Sequence, residues 1–148
     1  MKHLVIKNVG PIKNVDIELN RFNFLIGPQS SGKSTVAKIL SACTWLEKEV
    51  VTTRNDNAMS NGMEFRNLIE SFHKMEGYFE DNSIIKFETE NITISYSNSK
   101  FKVERKDSEK YHREKICYIP AERNMVTLPD LQGYEFGQTN LRSFLFEF

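Results

Sequence analysis

Residues 27–35, GPQSSGKST, carry the chemistry most readily seen in this chain. Their spacing is G-x-x-x-x-G-K-S, with Gly27 and Gly32 at the two glycine positions. A turn that aims several successive N–H groups at one centre needs residues that tolerate unusual dihedrals, and the glycines supply them. Pro28 has no N–H to contribute, Gln29 and Ser31 complete the turn, and Ser30 puts a side chain where backbone strain is expected. A helix opening at Lys33 would add unpaired N-terminal donors and the positive end of its dipole, so the stretch suits an anionic phosphate. Lys33 is placed to reach the β- and γ-phosphates of a nucleotide, and the Ser34 hydroxyl to ligate a Mg²⁺ that bridges them. Thr35 steadies the loop or the α-phosphate. Neither hydroxyl is read as a nucleophile.

A second, weaker pair is Glu122 and Arg123, just past the apolar run Ile116–Ile119 and Pro120. Ligand chemistry in open α/β sheets gathers beyond the carboxyl ends of strands, which makes these two the catalytic candidates. An ordinary salt bridge or helix cap explains them equally well. The histidines His3, His73 and His112 and the cysteines Cys43 and Cys117 share no metal-ligand spacing. No structural metal is expected, and both cysteines read as small core residues.

The elements that must hold these residues can be read from periodicity. Phe22, Phe24 and Ile26 fall on one side of a period-two run, which predicts a buried strand ending at Gly27. Val36, Ile39, Leu40, Cys43, Leu46 and Val50 then recur at helical spacing. The phosphate-type loop thus falls between a strand and a helix, the context its mechanism requires. Two short strands are expected before it. In the first, Leu4, Ile6 and Asn8 face opposite to Val5, Lys7 and Val9; in the second, Val15, Ile17 and Leu19 alternate with Asp16 and Glu18. The short Gly10-Pro11 break makes them antiparallel.

After the first helix, residues 54–62 are polar and turn-forming, and Asn61 with Glu64 marks a helix start. The stripe Phe65, Leu68, Ile69, Phe72, Met75 and Phe79 follows, with His73 expected at the surface or on the flank of the stripe. Three strands, 83–89, 91–97 and 101–106, read as a meander turned by Asn98-Ser99-Lys100. Residues 106–115 contain seven charged residues of both signs and read as a solvated loop. Ile116–Ile119 reads as a strand buried on both faces, and Leu141, Phe144, Leu145 and Phe148 as a final helix.

With 148 residues, 20 basic against 20 acidic side chains and 39% hydrophobic content, the chain is about one domain, with no global field to attract a polyanion. No apolar run approaches a signal peptide or a membrane span, so a cytoplasmic location and no membrane partner are expected.

The order LVIKNVGPIKNVDIEL, FNFLIGPQSSGKST and YIPAER resembles the N-terminal lobe of ABC-type P-loop ATPases of the SMC/RecF/OLD-like group, including AAA-labelled bacterial members. That resemblance implies an α/β P-loop NTPase lobe: a mixed sheet, antiparallel strands before the loop, a β-meander insertion and an incomplete core. One partial domain would span 1–148, divided into 1–50, 63–106 and 116–148. It implies ATP and Mg²⁺ as cofactors, held by Gly27, Gly32, Lys33, Ser34 and Thr35. Residues near Lys13 and Asn14 would match an early turn that approaches the nucleotide, and Gln132 or Gln138 a Mg²⁺-sensing glutamine. The group's hydrophobic strand ending in Asp-Glu, its signature helix and its histidine loop are not found in these residues. Phe144-Leu145-Phe146-Glu147 lacks the acidic pair.

The expectation is therefore an ATP-binding N-terminal portion, truncated and unable to hydrolyse ATP efficiently alone. It would self-associate or meet a C-terminal ATPase half, with DNA a partner of the parent protein. A stand-alone phosphotransferase and a regulatory module with a vestigial site stay open as alternatives.

Overall fold

The computed structural model describes residues 2–54, 61–106, 116, 118 and 119. Among them five strands and two helices follow in the order β1 (Lys2–Val9), β2 (Ile12–Leu19), α1 (Lys33–Thr53), α2 (Gly62–His73), β3 (Phe79–Glu88), β4 (Ile92–Ser97) and β5 (Lys100–Arg105). The strands form one sheet in the order β2-β1-β3-β4-β5, with every neighbouring pair antiparallel. The hairpin before the loop and the later meander are thus parts of one sheet, because β1 pairs with β3. The mixed sheet expected from sequence is not what the described residues form.

Register explains the core. Ile17, Leu4, Phe87, Ile94 and Val103 lie opposite one another across the five strands, and Val15, Ile6, Ile85, Tyr96 and Phe101 form a second such row. These rows put the period-two apolar positions on one face. The apolar stripe of α1, Val36, Ile39, Cys43, Leu46 and Val50, is buried in the same core, and α2 brings in Phe65, whose ring stacks on Phe101 at 4.6 Å. The result is two layers, helices on one face of a sheet. The opposite face is polar, with a hydrogen bond between His3 Nε2 and Asp16 Oδ1 and an ion pair between Lys106 and Glu88, each at 2.6 Å.

Several expectations hold in detail. Asn61 caps α2, its Oδ1 accepting the Glu64 amide at 3.0 Å, and Cys43 is fully buried. Others are corrected. Val9 shares the buried face with Leu4 and Ile6 because the register shifts between Lys7 and Val9, where Asn8 takes a left-handed φ of 53°. That bulge resets the period-two alternation. Helix α2 stops at His73, with Lys74 left-handed behind it, so Met75 and Phe79 reach the core from the connection and from β3. His73 itself is buried, 1% exposed, rather than on the surface.

The strand expected at Phe22–Ile26 does not form. These residues have no regular structure, and Phe24 and Ile26 are 85% and 94% exposed. Asn23 turns back on Asn20, donating from Nδ2 to its carbonyl at 2.7 Å and accepting its amide at 3.0 Å. Such a local turn competes with strand pairing, and among the described residues no strand lies beside the segment. Ile116, Tyr118 and Ile119 likewise belong to no strand, and Ile119 is 54% exposed. An all-apolar strand of this kind is stable only between neighbours.

Candidate functional site

Residues 27–31 form an exposed turn that runs through the buried Gly32 directly into α1. Ser30 has a φ of 62°, so the strain expected of a side chain at that position is present in the backbone. Gly32 is the residue before the helix and is also left-handed, at φ 91°. Its carbonyl accepts the Val36 amide at 2.9 Å, closing the first helical turn. Gly32 has no side chain to cap this end of α1, and the first turn contains no acidic residue. No carboxylate of that first turn competes for its leading amides, and the helix dipole favours an anion there.

Lys33 bends back over the turn. Its Nζ donates to the Gly27 carbonyl at 2.8 Å and to the Pro28 carbonyl, with the Ser31 Oγ at 3.3 Å. The cation is thus held at the centre of the turn by neutral oxygens, and no carboxylate is paired with it in these contacts. A positive charge, a left-handed glycine and an uncapped helix end meet within six residues, which is the donor set an anionic phosphate requires. Ser34 is exposed beside Lys33, available to a cation, whereas Thr35 is buried, 6% exposed. Gln29 and Ser31 stand exposed on the turn.

Two elements position this turn. Helix α1 is anchored by its buried stripe and by Lys38, whose Nζ donates to the His73 carbonyl at 2.7 Å. From the other side comes the β1–β2 turn. A Cβ built on Gly32 would sit 2.7 Å from Ile12 Cγ1 and 3.4 Å from Pro11 Cγ, so the hairpin turn rests directly on the loop's second glycine. Lys13 and Asn14 are exposed on β2, immediately past Ile12. The sequence presented Gly10-Pro11 only as a break between strands. Its contact with Gly32 had no signal beyond the glycine itself.

Beneath α1 lies a buried polar cluster that sequence reasoning missed. Glu47, 2% exposed, accepts from Thr89 Oγ1 at 2.8 Å and Asn91 Nδ2 at 2.9 Å, with Lys2 Nζ 3.7 Å away. It ties α1 to the β3–β4 turn. Burial, with the Glu47 charge adding to it, pushes the Cys43 thiol up to about 12, so that cysteine stays protonated and inert. Burial and then the Lys38 charge bring His73 down to about 4, and its Nδ1 is a buried atom with no hydrogen-bond partner.

Glu122, Arg123, Gln132 and Gln138 lie outside the described residues, as does the expected helix at 141–148. Among the described residues no group of three or more His, Cys, Asp or Glu side chains could hold a metal ion. Among them, too, no helix is long and apolar enough to cross a membrane. Neither a curated protein nor a solved structure matches the chain. A family model described as an AAA domain does match it, over residues 3–143, and this is an AAA-type P-loop family found in SMC- and RecF-like ATPases, whose members generally bind ATP with Mg²⁺. With nearly its whole length matched, the chain belongs to this AAA domain family.

Proposed function

We propose that residues 27–35 bind the triphosphate of ATP together with Mg²⁺, and that this chain is the ATP-binding N-terminal portion of an SMC-like ATPase. The observation that carries the reading is Lys33, held over the turn by the Gly27 and Pro28 carbonyls at a helix start whose N-cap is a glycine and whose first turn has no acid. In this reading Lys33 binds the β- and γ-phosphates, the amides around Ser30 to Lys33 orient them, and Ser34 offers its hydroxyl to Mg²⁺. The metal, when bound, would neutralise charge between the phosphates. Thr35, buried under the first turn, steadies the loop. Turnover needs an acid to hold the metal and a base to orient water, and the sequence has no hydrophobic run ending in Asp-Glu. Binding without efficient hydrolysis is the activity of these residues alone, with Glu122 and Arg123 the candidates for a contribution to chemistry. The exposed run Phe22, Phe24 and Ile26, next to the loop, supports a partner on that side: a second copy or a C-terminal ATPase half.

A thermal-shift titration tests the reading. MgATP at about 100 times its dissociation constant stabilises a one-site binder by about 2.7 kcal/mol, several degrees in midpoint for a domain of this size. Lys33→Ala should remove that shift without unfolding the protein, because among the described residues the Lys33 ammonium bonds only to the loop. An unaltered midpoint of the unmutated chain in MgATP would refute it and leave an interaction module.

A further inference from the structure

The α2–β3 connection, residues 74–78, reaches the phosphate-type loop indirectly, through the hairpin turn that supports it. Tyr78 meets that turn twice. Its carbonyl accepts the Gly10 amide at 2.8 Å, and its ring lies against the Gly10 Cα, where an added Cβ would be 2.8 Å from Cγ and 2.9 Å from Cε2. Gly10 is left-handed, φ 51°, so no other residue type would let ring and turn approach as closely without strain. Two residues on, Ile12 is 4% exposed and abuts Gly32. Gly32 in turn sets the direction of the first amides of α1. The same connection is fixed to α1 at its other end, where the carbonyl of His73, the last residue of α2, holds Lys38. Its own backbone is braced by the Tyr78 amide donating to the Met75 carbonyl at 3.1 Å.

We propose that Tyr78 is a positioning residue for the phosphate-binding turn: by clamping Gly10 it presses Pro11 and Ile12 onto Gly32 and keeps the loop in its binding shape. The claim rests on the nucleotide-binding reading for its ligand, not for its geometry. A loop held in the bound shape loses less freedom on binding and so binds more tightly. Contact is made by ring carbons, so the hydroxyl is dispensable. The α2–β3 connection is then also the route by which anything that moves α2 or the meander would alter affinity at the loop.

The test compares Tyr78→Ala, Tyr78→Leu and Tyr78→Phe with the unmutated full chain by two readouts. The first is hydrogen exchange of the amides of residues 29–36 without nucleotide; the second is MgATP affinity by calorimetry. Tyr78→Ala should speed exchange across the loop and weaken MgATP about tenfold, the scale expected when preorganisation is lost. Tyr78→Phe should match the unmutated protein within about twofold in both, and Tyr78→Leu, which keeps apolar bulk should the alanine variant fail to fold, should fall between. Loop exchange unchanged in folded Tyr78→Ala or Tyr78→Leu would overturn the proposal, as would a Phe variant as damaged as the Ala variant. If the unmutated chain does not bind MgATP, the nucleotide reading fails, and loop exchange alone still decides whether Tyr78 positions the turn.

Discussion

Replacing Gly32 by alanine would test the contact between hairpin and loop most directly. Two costs combine there. The left-handed backbone at φ 91° penalises a Cβ by about 1 to 2 kcal/mol. The new methyl would also sit 2.7 Å from Ile12 Cγ1, well inside ordinary contact. Ile12 cannot swing aside cheaply, since it is β-branched and 4% exposed, and overpacking of this kind costs about 1 to 3 kcal/mol. The sum is about 2 to 5 kcal/mol, or roughly 5 to 15 °C in midpoint for a chain of this size. Ile12→Ala alone should cost about 2 to 4 kcal/mol as a core truncation. In the double variant the clash is relieved while the dihedral strain stays, so the two losses should fall short of additive by at least about 1 kcal/mol. Urea unfolding of the four proteins measures this cycle. Additivity within about 0.5 kcal/mol, or a Gly32→Ala variant as stable as its parent, would refute the packing of Ile12 on the loop glycine.

Other outcomes follow from the same structure. His73 is held near 4 against an ordinary 6.5, so the unfolded chain binds more protons between those values. Stability should therefore be complete above about pH 6.5 and fall as pH drops towards 4, by about 1 to 3 kcal/mol after solvent screening is allowed for. His73→Phe should flatten that slope in pH-dependent urea melts. Glu47→Ala strands the buried Thr89 and Asn91 donors and should cost about 2 to 4 kcal/mol, with Glu47→Gln losing less because it keeps an acceptor oxygen; chemical denaturation of both variants checks this. Phe24→Ser and Ile26→Ser should each change stability by less than about 0.5 kcal/mol, since both side chains are exposed. A loss above about 2 kcal/mol in a thermal melt would mean that the segment is buried in solution.

Local signals in the sequence translated well. The Val15, Ile17, Leu19 alternation gave β2, the spacing from Val36 to Val50 gave the buried stripe of α1, and Asn61 with Glu64 marked the start of α2. Each depends on neighbours within a few residues. The pairing of β1 with β3 was not legible, because antiparallel partners seventy or more residues apart leave no periodic trace. The bulge at Asn8 hid for another reason: one left-handed residue changes the face of Val9 without changing the composition of the strand. Phe22–Ile26 misled because alternation reports which face a strand would bury, not whether a neighbouring strand is there to accept it. At the site, Gly27, Gly32, Lys33 and Ser34 were visible as a spacing. Tyr78 and Ile12 were not, since their importance lies in what touches a glycine.

The β1–β3 ladder has a consequence for how the protein is made. His3 lies opposite Glu88 and Leu4 opposite Phe87, so the amino-terminal hairpin is flanked by a strand translated long after it. At roughly 5 to 20 residues per second the ribosome delivers that strand several seconds after the hairpin. Through that interval β1 has one open side and the turn under Gly32 lacks its clamp. A nascent chain stalled before Phe79 clears the exit tunnel should be protease-sensitive throughout, and protection should arrive in one step as β3 emerges, because pairings distant along the chain gain nothing until the loop between them closes.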